Sequence, residues 1–223
     1  MTIDAIASAI YNHVNTGLAG ISSNPKISIE QLRDEVVAEK NKLIREYLLK
    51  GVLRLDELYL AINCIEVTCG DMAKCSCKNI SGKQALHFEI PPIIYLPGLD
   101  TIKFIGSVDK AVSYKVYTDH SYKFHTYKRH GNQKPFVYLD TTINANGNMD
   151  GYIFNLPYVK YITVVALFQD PRRLLEWDCC SDSDVYLDCG IISDDIIQRL
   201  TTKYITWYKQ VATPVTPNDQ KPK

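Results

Sequence analysis

Apolar positions recur at helical spacing at both ends of this chain, and at alternating or continuous spacing in its middle. Ile3, Ile6, Ile10, Val14 and Leu18 lie near one face, which predicts a helix over 3–18, broken by Gly20 and Pro25. A second helix is predicted over Ile29–Lys50. Ser28 stands at its N-cap with Gln31 three residues on, as in a capping box, and Ile27 and Leu32 are placed to form a hydrophobic staple. Leu32, Val36, Leu43 and Tyr47 form its core stripe, widened by Ile29, Ile44 and Leu48, and Gly51 supplies the stop. Such a helix is about 33 Å long, enough to project from a domain or line an interface.

The middle predicts a short helix over Asp56–Ile62 and then strands at Cys64–Val67, Ala85–Ile90, Ile102–Ile105, Val112–Thr118, Tyr122–Thr126 and Phe136–Thr142. Tyr161–Phe168 (YITVVALF) is almost wholly apolar and reads as a central strand covered on both faces. Asp170 caps a short helix with Pro171 in its first turn. Ser193 is expected to cap a final helix, Asp194–Val211, whose apolar face is Ile197, Leu200, Tyr204, Tyr208 and Val211. Ala212–Lys223 carries three prolines and no periodicity, the composition of a disordered tail. The predicted fold class is α+β: N-terminal helices, a central antiparallel β-barrel or sandwich, and a C-terminal helix. The segments fall at 1–62 (helical), 63–170 (β-rich core), 171–211 (helical, packed on the core) and 212–223 (tail).

At 223 residues and 46% hydrophobic, the chain has ample material for a core. Its formal net charge is zero, so no overall field draws it to nucleic acid or to an anionic membrane. No apolar run approaches the roughly 18–20 residues that span a bilayer. The start, Met1-Thr2-Ile3-Asp4, lacks the basic and small-residue pattern of a secretory signal, and the seven cysteines are an odd number. Both point to a reducing cytoplasm as the place of synthesis.

Four patterns bear on chemistry. Cys64, Cys69, Cys75 and Cys77 could in principle hold zinc, but they lack the short paired spacing of zinc knuckles and read as free thiols. Asn146, Asn148, Asp150, Gly151 and Ile153 match the start of a calcium loop. Pro157 stands where its closing glutamate belongs, and a β-hairpin accounts better for these residues. Ser81-Gly82-Lys83-Gln84 lacks the earlier glycine and the Ser/Thr of a phosphate-binding loop. His120, His125 and His130 are five apart, which on a strand puts neighbours on opposite faces. The expectation is therefore no catalytic residues, no cofactor and no metal.

Eight of the fifteen tyrosines fall between Ala111 and Phe168. Tyrosine favours protein interfaces, and it also favours sheets. Charge sharpens the interface reading. Lys110–Lys134 holds six Lys/Arg and one Asp, whereas Val165–Leu200 holds eight Asp/Glu and three Lys/Arg. Tyr114, Tyr117, Tyr122 and Tyr127 interleave with Lys115, Lys123, Lys128 and Arg129, so the basic stretch carries apolar area as well. An interface between copies is expected to pair Tyr114, Tyr117, Tyr122, Lys123, Tyr127, Lys128 and Arg129 of one chain with Asp182, Asp184 and Asp188 of the next.

Several blocks carry a resemblance: NCIEVTCGDMAKCSCKN from Asn63, ALHFEIPPI, FIGSVDKAVSYKVYT, FVYLDTTINANGNMDGYIFN, VVALFQDPRRLLEWDCC and RLTTKYITWYKQ. Together, over about Ser28–Gln210, they resemble virion proteins of crAss-like bacteriophages, the short-tailed phages of gut Bacteroides. Such proteins are similar to neck or tail ring components between portal and tail. The resemblance implies a structural, non-enzymatic role and residence in the virion neck or tail after assembly in the host cytoplasm. The implied partners are copies of itself in a ring, twelvefold by family resemblance, then portal and other neck or tail proteins. DNA would pass through the channel without sequence specificity, and no membrane is involved. The residues alone leave two other readings open: a zinc-stabilised nucleic-acid-binding module using Lys110–Lys134, and an enzyme whose catalytic set is brought together only by folding.

Overall fold

Thr2 opens the first helix, α1 (Ile3–Gly17), by accepting a hydrogen bond from the Ala5 N–H at 3.2 Å. The computed structural model describes residues 1–18, 27–51, 58–70, 85–96, 100–118, 134–156, 159–177 and 190–212. The chain divides into two compact units, one comprising Met1–Glu46 with Tyr186–Lys223, the other Tyr47–Val185. The final helix thus groups with the N-terminal helices, and Leu60–Ile62 and the turn after Asp170 group with the strands, which differs from the segment boundaries expected from sequence.

The helical unit follows its local signals closely. Ile3, Ile6, Ala7, Ile10 and Val14 form the buried face of α1. In α2 (Ile29–Lys50) the Ser28 hydroxyl accepts from the Gln31 N–H at 3.0 Å, and Gly51, at φ +66°, closes the far end by donating to the Leu48 carbonyl. Leu32, Val36, Leu43 and Ile44 are buried as the periodicity predicts, while Ile29 is exposed because it precedes the first buried turn. The last helix, α3 (Gly190–Ala212), starts ahead of the expected Ser193 cap. Its buried stripe is Ile192, Ser193, Ile196, Leu200 and Tyr204, so burial of Ile192 carries the helix start N-terminal to the serine. Ala212, expected in the tail, is the last residue of α3; residues 213–223 lie outside the described residues. At Gly17 a Cβ would sit 2.6 Å from the Ile205 side chain, so the glycine lets α1 approach α3 closely. Ion pairs join the helices on the surface: Arg33–Asp4 at 2.6 Å, Arg199 to Glu39 at 3.4 Å and to Glu46 at 3.2 Å, and Lys203–Glu35 at 2.8 Å. Exposed pairs of this kind contribute about 0–1 kcal/mol each.

The second unit holds two sheets. Strands β1 (Leu60–Glu66), β8 (Tyr161–Ala166) and β4 (Ile102–Gly106) form one, in the order β1-β8-β4, all antiparallel. The other runs β2-β3-β7-β6-β5, from β2 (Thr68–Gly70), β3 (Ala85–Ile90), β7 (Met149–Phe154), β6 (Phe136–Ile143) and β5 (Lys115–Tyr117). Inward residues of both sheets share one hydrophobic cluster: Ile62, Ile65, Ile105, Ile162 and Val164 from the first, Leu86, Phe88, Ile90, Val137, Leu139 and Ile153 from the second. The molecule is therefore α+β with a β-sandwich. Among the described residues neither sheet closes into a barrel, and the arrangement is not wholly antiparallel, because β5 pairs with β6 in parallel. A parallel neighbour requires a long crossover, and the chain supplies it between Tyr117 and Phe136.

Other differences have local causes. Leu60–Ile62 is strand rather than the end of a helix, since these residues pair with Val164–Ala166. Residues 56–57 of the expected 56–62 helix lie outside the described residues, as does the expected strand 122–126. Of the expected Val112–Thr118 strand only Lys115–Tyr117 is regular, with Ser113 in an isolated bridge to Gly106. β8 is the centre of its sheet, with Ile162, Thr163 and Val164 in succession fully buried, as its apolar run predicts. Asp170 does cap the turn Pro171–Glu176, which is a 3-10 helix, by accepting from the Arg172 N–H at 3.0 Å. No helix among the described residues is long and apolar enough to cross a membrane.

Candidate functional site

Strand alternation divides the five-stranded sheet into two chemically different faces. Leu86, Phe88 and Ile90 of β3 point into the shared core, which leaves Ala85, His87 and Glu89 on the outer face. On β7 the outer residues are Asp150, Tyr152 and Phe154, and on β6 they include Phe136 and Tyr138. Cross-strand pairing lines these up: Phe136 with Phe154, Tyr138 with Tyr152, His87 with Tyr152, and Glu89 with Asp150. The result is a graded sheet face, aromatic and buried toward β5 and polar toward the β6–β7 hairpin. Phe136 and Phe154 stack at 4.9 Å between ring centroids, Tyr117 meets Phe136 edge-on at 5.6 Å, and His87 lies tilted 5.3 Å from Tyr152. Phe136, Tyr138, Tyr152 and Phe154 are all buried.

The polar end is a connected network. The His87 Nε2 and Asp150 Oδ1 atoms are 3.0 Å apart, and the Asn144 amide donates to the same carboxylate oxygen at 3.1 Å. Asn148 donates to Glu89 Oε2 at 2.9 Å. Arg173, from the 3-10 turn, donates to Asn148 Oδ1 and to the Gly147 carbonyl, each at 2.7 Å. The hairpin is built for this. Asn144 Oδ1 accepts from the Asn146 and Asn148 N–H groups, and Gly147, at φ +78°, turns the chain. The hairpin reading of the asparagine-rich stretch is thus the observed one. His87, Glu89 and Asp150 are each half-buried, and one donor atom from each lies within 4.8 Å of the others. The sequence reading missed this trio. Its signal was the pair of polar residues two apart in the otherwise apolar ALHFEI strand, which strand geometry places on one face.

The expected interface residues are distributed differently. Tyr114 is buried in the core between the sheets, its N–H bonded to the Ile105 carbonyl at 2.7 Å, so its ring packs the sandwich and is not displayed to a neighbour. Burial, with the nearby Asp109 charge, raises its phenol above the ordinary value. Tyr117 is half-buried on β5 with the Lys115 ammonium 5.1 Å above its ring. Tyr122, Lys123, Tyr127, Lys128, Arg129, Asp182, Asp184 and Asp188 lie outside the described residues, as do the three spaced histidines, residues 81–84, Cys75 and Cys77. Cys64 and Cys69 are free thiols. Cys64 is not a core strand residue: it sits half-buried, at φ +59°, where the β1–β8 register shifts between Ile62 and Ile65, the signature of a bulge.

A cleft of about 440 Å³ opens beside β4 and β5, lined among others by Tyr95, Thr101, Lys103, Phe104, Tyr114 and Thr118. The Tyr95 and Thr118 hydroxyls bond at 3.0 Å within this lining. Its polar lining is mainly hydroxyls, with the Asp100 carboxylate and the Lys103 ammonium beside them, a set suited to hydrogen bonding. No family model matches the chain, and no curated protein matches it either.

Proposed function

We propose that this chain is a structural virion protein, a ring-forming component of the neck or tail of a short-tailed, crAss-like phage. Copies would associate head to tail around the channel through which DNA passes, with portal and other neck or tail proteins as neighbours. The reading rests on the family resemblance. Most of its segments fall on the strands of both sheets, and the last falls within α3.

The observation that carries the ring is the start of the basic stretch on an edge strand. Among the described residues β5 pairs only with β6, and it carries Lys115 over the Tyr117 ring at the margin of the sheet. A closed ring needs two different surfaces of the same chain to meet. The basic, tyrosine-bearing stretch 110–134 and the acidic stretch 165–200 have opposite signs on a chain of zero net charge, and would supply two such surfaces. DNA binding by the monomer would instead want a net positive molecule. Reconstruction of the parent particle tests the proposal: density for this chain is expected as a closed ring of identical copies at the neck or tail. Isolated single copies with no neighbour of the same kind would overturn it.

A further inference from the structure

We propose that His87, Glu89 and Asp150 form a binding site for one divalent transition-metal ion, with zinc the best fit. Glu89 and Asp150 face each other across β3 and β7, and His87 is on the next outward position of β3, so the sheet itself fixes the spacing of the three side chains. Their donor atoms, one imidazole nitrogen and two carboxylate oxygens, gather within 4.8 Å. Zinc bonds to nitrogen and oxygen of about 2.0–2.2 Å in a tetrahedron place neighbouring ligands about 3.3–3.5 Å apart. The 3.0 Å between His87 Nε2 and Asp150 Oδ1 already approaches that separation. The Glu89 carboxylate, at the end of a flexible side chain, closes the remaining angstrom or so by rotation. Three protein ligands leave a fourth position for water or an anionic group.

The surroundings match those of a metal site rather than a plain surface cluster. The ligating carboxylates are each oriented by an amide, Asn144 on Asp150 and Asn148 on Glu89, and Asn148 is itself fixed by Arg173. Outer hydrogen bonds of this kind hold ligands in place and are worth about 10–100-fold in affinity. Asn148 is only 7% exposed, so this support is part of the interior. Tyr152 flanks the imidazole on one side. Two carboxylates beside an Arg173 charge that is turned to Gly147 and Asn148 favour a divalent cation. A nitrogen-plus-oxygen donor set selects zinc or a similar first-row ion over magnesium or calcium. The ion would fasten β3 to β7 and to the hairpin, independently of any ring contact.

The test uses the full chain, stripped of metal by chelator and titrated with Zn2+ calorimetrically, with Co2+ as a spectroscopic probe. One Zn2+ per chain is expected, with a rise in melting temperature. Asp150→Asn and Glu89→Gln keep side-chain shape, and each should weaken binding at least about tenfold. Cys64→Ser with Cys69→Ser should leave it unchanged. If Asp150→Asn fails to fold, Glu89→Gln carries the comparison. The Co2+ complex is expected to lack thiolate charge-transfer absorption. Absence of binding, binding indifferent to both carboxylate variants, or a thiolate band would each overturn the proposal.

Discussion

At the scale of single residues, the sandwich turns on a few positions where backbone and side chain come unusually close. Gly151 is the clearest. It pairs with Phe88 across β3 and β7, and a Cβ there would lie 2.2 Å from the Phe88 ring. The ring covers the glycine and fills the space that a side chain would take. Gly151→Ala must therefore push Phe88, one of the largest fully buried side chains, out of its packed position. The expected loss is about 1–3 kcal/mol, the range for overpacking a tight core. It should appear in urea denaturation as a lower midpoint with an unchanged slope. Sequence alone placed Gly151 in the loop of a β-hairpin, because a glycine among asparagines looks like a turn. Only the pairing with Phe88, more than sixty residues away, gives it its role. The bulge at Cys64 was hidden for the same reason, since a bulge is defined by the partner strand. His87 and Glu89 were legible in principle, as two polar positions in one strand, but their meeting with Asp150 was not.

At the scale of elements, structure with local determinants was readable and structure with distant ones was not. α1 and α2 carry their own caps and stops, so Thr2, Ser28 and Gly51 act where the chain order puts them. The parallel pairing of β5 with β6 depends on a crossover, and nothing in either strand encodes its direction. α3 lies between these cases. Its period was right, but its stripe is centred on Ile196 rather than Ile197. Ile196→Ala should cost about 2–5 kcal/mol in helical-unit stability, with Ile197→Ala costing clearly less, as followed by far-ultraviolet circular dichroism in urea. Equal losses would move the buried face back to the expected stripe. The same helix also predicts an alkaline response. Burial, with the Glu35 carboxylate alongside, raises the Tyr204 phenol above its ordinary 10.0. The unfolded chain therefore ionises first, so this contribution is complete below about pH 10 and is lost as pH rises toward the folded value. Tyr204→Phe should flatten the fall of the urea midpoint above about pH 10, although Tyr208, also raised by burial, will keep part of it.

At the scale of the whole molecule, the ring proposal depends on charge arranged along a neutral chain. Burial of Tyr114 changes what the proposed contact can use: among the described residues of the basic stretch, Tyr117 rather than Tyr114 keeps apolar area accessible. Rim charges mainly govern encounter rate and register, while buried aromatic groups carry more of the affinity. Reversing Lys123, Lys128 and Arg129 to glutamate should therefore slow or abolish assembly, with circular dichroism of the free variant expected to match the wild type. Reversing Asp182, Asp184 and Asp188 to lysine in the same chain restores opposite signs across each contact, and assembly should partly return. Reconstitution onto purified portal complexes, counted by electron microscopy, reads both steps and allows for a free protein that is monomeric until templated. Salt gives a matching readout: exposed charges are screened over about 8 Å at physiological ionic strength, so wild-type assembly should slow as salt rises. Assembly that is insensitive to the first triple reversal would remove the charged surfaces from the contact. A defect that the second triple reversal leaves unrepaired would show that the two stretches do not meet.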